Sequence, residues 1–195
     1  MVMKVFYLIV SALLVAGCVK KNQQVDSPYL DFDSLINAQI VALTKAKSTL
    51  TKSVLLDGKL DRSVLAMDST LLAQELDVFR QLDVINKPLY RDAYEISDGE
   101  KDSQSNLIIR TYRAKKKTAI PYVKIYYQNN FSRIKKIESG IQDTNSLYAT
   151  DRSFQLEFDD AHGALLLSKY KLTGGQKMIL SDTVLFTIEG SFSFH

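Results

Sequence analysis

Val184-Leu185-Phe186-Thr187-Ile188-Glu189-Gly190-Ser191-Phe192-Ser193-Phe194 is the stretch on which the fold turns. Side chains alternate with period two along a strand. Val184, Phe186, Ile188, Phe192 and Phe194 therefore share one face, and Leu185, Thr187, Glu189, Ser191 and Ser193 share the other. One side is buried and the other is wet, which is the habit of an antiparallel sheet.

Working back from this strand, period two persists to about residue 91. Candidate strands cover 92–97, 106–114, 120–128, 132–141, 146–150, 153–159, 164–173, 176–181 and 183–194. Asn129-Asn130 and Gly174-Gly175 read as tight turns, and Ser97-Asp98-Gly99-Glu100-Lys101-Asp102-Ser103 as the most solvated loop. Strands that follow one another without helices between them argue against a parallel sheet.

Before residue 91 the period changes. Over 31–50, Phe32, Leu35, Ile36, Ile40, Leu43 and Leu50 form a helical stripe with Val41 beside it, and Asp31 or Asp33 can cap the first turn. Asp57-Gly58 between 53–56 and 59–65 supplies the two positive φ values of a type I′ hairpin. A second helix is expected over about 69–85, capped by Asp68 or Ser69 and lined by Leu72, Leu76, Phe79 and Leu82. Pro88 stops it by pushing Lys87 out of the helical region. The expected fold class is α+β: two N-terminal helices and a hairpin packed on a long curved antiparallel β-meander, half-barrel or barrel-like. Periodicity does not decide whether the sheet closes.

The N-terminus carries a different message. Lys4 precedes an apolar run, Val5 to Ala16, that is too short for a membrane span but right for a signal-peptide core. It ends in Leu13-Leu14-Val15-Ala16-Gly17 and then Cys18, the chain's only cysteine. Val15-Ala16-Gly17-Cys18 resembles the lipobox of bacterial lipoproteins. The resemblance implies cleavage before Cys18 and acylation of its thiol. Two or three acyl chains make a stable anchor where one is marginal. No thiol then remains for disulfides, so the fold rests on its own core. The expected domains are 1–17 signal peptide, 18–30 lipidated cysteine with a polar tether, and 31–195 a single α+β domain.

Val19, rather than aspartate, follows the cysteine. By analogy with envelope lipoproteins this implies an outer-membrane anchor, and Lys20-Lys21 imply a domain facing the periplasm. Glu75-Leu76-Asp77-Val78-Phe79-Arg80-Gln81-Leu82-Asp83, continuing to Pro88, also resembles a stretch in small Bacteroidota lipoproteins. Those end in an Ile-x-Gly-x-Phe pattern, here Ile188-Glu189-Gly190-Ser191-Phe192. That likeness carries no activity with it.

Composition narrows the function classes. The formal charge of +3 is too mild to argue for nucleic acid, and an apolar content of 46% is ample for one core. Asp159, Asp160 and His162 could ligate a metal, but the same letters make an ordinary turn at Gly163. The loop at 98–102 lacks the spacing of a calcium site, and Gly174-Gly175 precedes no helix that would hold a phosphate. Arg110, Arg113, Lys115, Lys116, Lys117, Arg133, Lys135 and Lys136 concentrate positive charge that suits anionic headgroups or simply solvates strand faces. Tyr112, Tyr122, Tyr126, Tyr127, Tyr148 and Tyr170 suit cross-strand packing or a glycan- or lipid-binding row.

The sequence thus points to no catalytic residue, no metal and no cofactor. The expectation is a lipid-anchored, non-enzymatic binding or accessory module whose partners are the membrane, through Cys18, and an envelope protein or apolar ligand. The alternative is a periplasmic hydrolase using carboxylates such as Glu157, Asp159 and Asp160. Metabolic labelling with palmitate is expected to mark the wild-type protein and leave Cys18→Ala unlabelled.

Overall fold

A computed structural model describes residues 29–161, 163–179 and 182–194. The signal-peptide and lipidation readings, most of the tether, His162 and His195 lie outside the described residues. Tyr29 and Leu30, assigned above to the tether, belong to the packed domain. Tyr29 is buried, and its hydroxyl donates to the Arg91 carbonyl at 2.7 Å.

Helix α1 spans Phe32–Lys45. The Asp31 carboxylate accepts from the Ser34 N–H at 2.7 Å and so satisfies one of the free amides of the first turn. Phe32, Ile36, Gln39 and Leu43 face inward. The helix stops well short of residue 50. Lys47 takes a positive φ of 47°, and the chain reverses into strand β1, Thr49–Leu56. Leu50 is buried as a strand residue and not as part of a helical stripe. Strand β2, Lys59–Ala66, returns through Asp57 and Gly58, whose φ values of 46° and 80° are those the type I′ turn demands.

Helix α2 is shorter than expected. It spans Ser69–Leu76, with Asp68 accepting from the Leu71 N–H at 2.8 Å. The chain then tightens into a 3₁₀ segment over Asp77–Asn86. Phe79, Leu82 and Ile85 explain the change. They recur every third residue, and a 3₁₀ helix stacks such positions along one line. All three are fully buried. Lys87 is extended before Pro88, which opens a single 3₁₀ turn over Pro88–Tyr90.

Among the described residues, seven further strands follow: β3 Tyr94–Lys101, β4 Ile108–Ala114, β5 Tyr122–Tyr127, β6 Ile134–Thr144, β7 Tyr148–Ala161, β8 Ala164–Met178 and β9 Val184–Ser193. All neighbouring strands are antiparallel. The order across the sheet is β2-β1-β9-β8-β7-β6-β5-β4-β3. A meander from β3 to β9 is therefore joined by the β1–β2 hairpin, which docks on β9 from Thr49↔Ser193 to Leu56↔Phe186. The sheet does not close, since β2 and β3 are its two edges.

Two expected strand breaks are absent. The segments 146–150 and 153–159 merge into β7, and 164–173 and 176–181 merge into β8. Gly174-Gly175 is not a turn. It runs mid-strand opposite Arg152 and Asp151. A Cβ at Gly174 would meet the Asp151 carbonyl and the Phe186 ring, so the glycine is there for close approach. The loop expected at 97–103 is also mostly strand, with a bulge between Asp98 and Glu100 at Gly99, whose φ is 94°.

The helical layer covers one face of the sheet and forms a single core with it. Phe79 meets Phe154 and Tyr170 edge-on at 6.0 and 5.5 Å between ring centres. Gln39 ties α1 to β8 by donating to the Leu165 carbonyl and accepting from the Leu167 N–H. Among the described residues, no helix is long and apolar enough to cross a membrane.

Tyr170 lies over Gly190 on the neighbouring strand, so a Cβ there would come within 2.1 Å of the phenol ring. Gly190→Ala is expected to lower stability by about 1–3 kcal/mol, the range for overpacked cores. A reduced urea midpoint with an unchanged slope would show it.

Candidate functional site

The face of the sheet away from the helices is polar. Cross-strand register places Lys124, Glu138, Gln155, Lys171, Glu189, Ser53 and Arg62 side by side across seven strands. The adjacent row holds Tyr126, Lys136, Glu157, Lys169, Ser191 and Thr51. Acidic and basic groups alternate along both rows. Opposite charges facing each other across strands attract, and like charges in those places would repel.

Lys171 and Glu189 pair across strands, whereas Lys136–Glu138 and Gln155–Glu157 are contacts along one strand. Lys171 pairs with Glu189 at 2.7 Å and Lys136 with Glu138 at 2.8 Å. Gln155 donates to Glu157 at 2.7 Å. The Lys136 ammonium sits 3.9 Å from the centre of the Tyr126 ring, whose hydroxyl donates to Glu138 at 2.8 Å. Burial and the Glu138 carboxylate together push the Tyr126 phenol well above its ordinary pKa.

Between these rows lies a trough of about 450 Å³, bordered by Thr51, Ser53, Arg62, Gln155, Glu157, Lys169, Lys171, Glu189 and Ser191. Its floor is at Lys52, Tyr170 and Gly190. By register the side chains of Lys52 and Tyr170 belong to the other face. There the Tyr170 hydroxyl donates to Glu75, which also pairs with Lys52 at 2.8 Å. Burial first, and Glu75 second, raise the Tyr170 pKa. The trough offers donors, acceptors and charges of both signs. That suits a polar or zwitterionic surface. A second hollow, about 710 Å³, lies between the C-terminal half of α1 and the β7–β8 end, lined by Val41, Ala42, Ala161, Ala164 and Leu166 among others.

The remaining candidates disperse. Asp159 and Asp160, being adjacent on β7, point to opposite faces. Asp160 pairs with Lys135 at 2.8 Å and Arg133 at 3.1 Å, and these cations hold its carboxyl below the usual range. Glu157 lies in the trough beside Gln155. The three carboxylates of the hydrolase reading therefore do not converge. Among the described residues, no group of three His, Cys, Asp or Glu side chains is placed to hold a metal ion.

The expected basic cluster is likewise divided. Arg110 binds Asp98 and lies 3.9 Å over the Phe131 ring. Arg133 and Lys135 go to Asp160 and Lys136 to Glu138, while Lys115, Lys116 and Lys117 stay exposed on the β4–β5 loop. The tyrosines are mainly packing residues: Tyr112, Tyr126, Tyr127 and Tyr170 are buried. Tyr122 borders a smaller hollow beside the trough, and Tyr148 donates to Asp143 at 2.7 Å. The charge rows themselves were not foreseen. Their members are the polar positions of alternating strands, but only the register aligns them.

No protein-family model matches the chain, and neither a curated protein nor a solved structure matches it.

Asp98 accepts from Arg110 and from Tyr127 at 2.8 Å, and mainly the Arg110 bond holds its pKa below the ordinary value. A depressed native pKa stabilises the fold above the unfolded-state pKa, and that contribution is lost as pH falls through the native one. Asp98→Asn is expected to be less stable than wild type at neutral pH. In thermal melts the gap should narrow as pH falls from about 5 to about 2.

Proposed function

We propose that this chain is a lipid-anchored protein of the bacterial cell envelope, held at the outer membrane by acyl chains on Cys18, with its domain facing the periplasm. It acts there as a binding or accessory module. The anchor rests on the order of residues from Lys4 to Cys18. The binding role is carried by one observation: a wide sheet face that no helix among the described residues covers, whose alternating charges border a trough of about 450 Å³. Such a face recognises a partner by charge complementarity, which sets specificity and register more than raw affinity. The chemistry of the trough favours a polar partner, such as a peptide segment or a charged protein surface. Carboxylates paired with cations, as Asp160 and Asp98 are, are poor general acids, because their pKa values move away from the working range.

Native mass spectrometry of the acylated protein, extracted from its own envelope, tests the reading. The wild type is expected to carry a non-covalent companion that the Lys169→Glu, Lys171→Glu double variant loses. Acylated protein that is bare in both forms overturns the binding role.

A further inference from the structure

The geometry points to one end of the sheet as a membrane-facing rim, packed against a phospholipid surface with anionic headgroups. This inference rests on the acyl-anchor reading above and adds an orientation to it.

Antiparallel register brings the start of β3, the end of β4, the start of β5, the end of β6, the start of β7, the end of β8, the start of β9 and the β1–β2 turn to the same end of the sheet. Exposed apolar side chains gather there. Ile179 is 69% exposed, Leu147 65% and Leu185 62%, and Leu55, Leu56 and Val184 are exposed beside them. Backbone bonds make these positions neighbours: Ile179 N–H to the Leu147 carbonyl at 3.1 Å, and Asp57 N–H to the Leu185 carbonyl at 3.1 Å. Isolated surface leucines need no explanation, but several exposed at one end of a sheet do.

The rim continues into positive charge. The β4–β5 loop carries Lys115, Lys116 and Lys117, and its Ala119 carbonyl accepts from Gln142 at the end of β6, at 2.7 Å. No carboxylate among the described residues lies within ion-pair distance of these three lysines, although Asp57, Asp92 and Asp143 stand on the same rim. Beside the loop is a shallow hollow of about 320 Å³ bordered by Leu89, Arg91, Asp92, Lys115 and Lys116, with Leu89 84% exposed. Cations beside apolar side chains suit the boundary between headgroups and acyl chains.

Tyr29, the first described residue, sits at this rim. Tyr29 stacks edge-on against Tyr94 and Tyr112 at 5.4 and 5.3 Å, at the β3–β4 end, and Lys115 N–H bonds the Ala93 carbonyl next to it. Residues 19–28 separate Tyr29 from Cys18. Even fully extended they reach only about 35 Å, at 3.3–3.6 Å per residue. Chain length thus holds this end of the domain near the acylated cysteine.

The test uses the full acylated protein in phosphatidylglycerol-containing vesicles doped with a headgroup spin label. A fluorophore is placed on a single introduced cysteine, Ile179→Cys or Leu185→Cys at the rim, and Gln104→Cys at the opposite end. Lipid quenching at least threefold stronger at 179 and 185 than at 104 is expected. Replacing Lys115, Lys116 and Lys117 by glutamate should narrow that difference. Equal quenching at both ends overturns the inference. So does a rim label shielded from aqueous iodide yet unquenched by lipid, which would mean a protein covers it. The chain without an introduced cysteine separates the two readings: if it takes up the fluorophore, Cys18 is a free thiol and the anchor itself fails.

Discussion

Tyr170 occupies the space that Gly190 leaves empty, and the domain is organised around that contact. The ring rests on β9, its hydroxyl is held by Glu75 of α2, and the same carboxylate takes Lys52 from β1. Phe79 and Phe192 close on the ring from the 3₁₀ segment and from β9. One side chain thus joins the helical layer to three adjacent strands. The carboxylate that receives it would be costly to bury alone, and Lys52 together with the phenol meets that need. Because Gly190 has no side chain, the ring can approach the strand backbone closely.

This arrangement also explains what the sequence made legible. Asp31, Asp57-Gly58, Asp68 and Pro88 each act on neighbours a few residues away, so their caps, turn and stop could be read directly. The alternation of β9 was readable for the same reason, since Phe192 faces the core while Ser191 and Ser193 are exposed. The β1–β9 pairing was not readable. It joins residues more than 120 apart in sequence, Thr49–Leu56 with Phe186–Ser193, and no local pattern names a strand's partner. Gly174-Gly175 failed as a turn signal because the need for Gly174 lies on other strands, in the Asp151 carbonyl and the Phe186 ring. The extent of α2 failed because a spacing of three residues serves a 3₁₀ segment better than an α-helix. The trough was invisible for the same reason as the pairing, because its charges become neighbours only once register is fixed.

The two sheet edges are protected unequally. β3 carries Glu95, Asp98, Glu100 and Lys101 and a bulge, which together discourage another strand from pairing there. β2 carries Lys59, Asp61 and Arg62, but it also exposes Leu60, Val64 and Leu65 along an unbroken eight-residue strand. A long edge of this kind invites pairing with another chain. The Arg62 end of the trough lies on this same strand, so a partner docking in the trough would also mask the less guarded edge.

Rim and trough are compatible surfaces. Ser53 and Glu189, in the trough, are each three residues from Leu56 and Phe186 at the rim end of their strands. At about 3.3 Å per residue, the trough lies about 10 Å from that end. A domain standing on its rim would hold the charge rows just above the headgroups and roughly parallel to the surface, open from the side. The field of anionic lipids falls off over about 8 Å at physiological ionic strength, so the trough would sit at its margin. A partner could then meet the alternating charges of the trough largely without competition from the membrane's own, while the lysines of the β4–β5 loop face the lipid. On the proposed orientation, separating a mixed-charge face from a cationic rim would let one small domain address a bilayer and a partner at once.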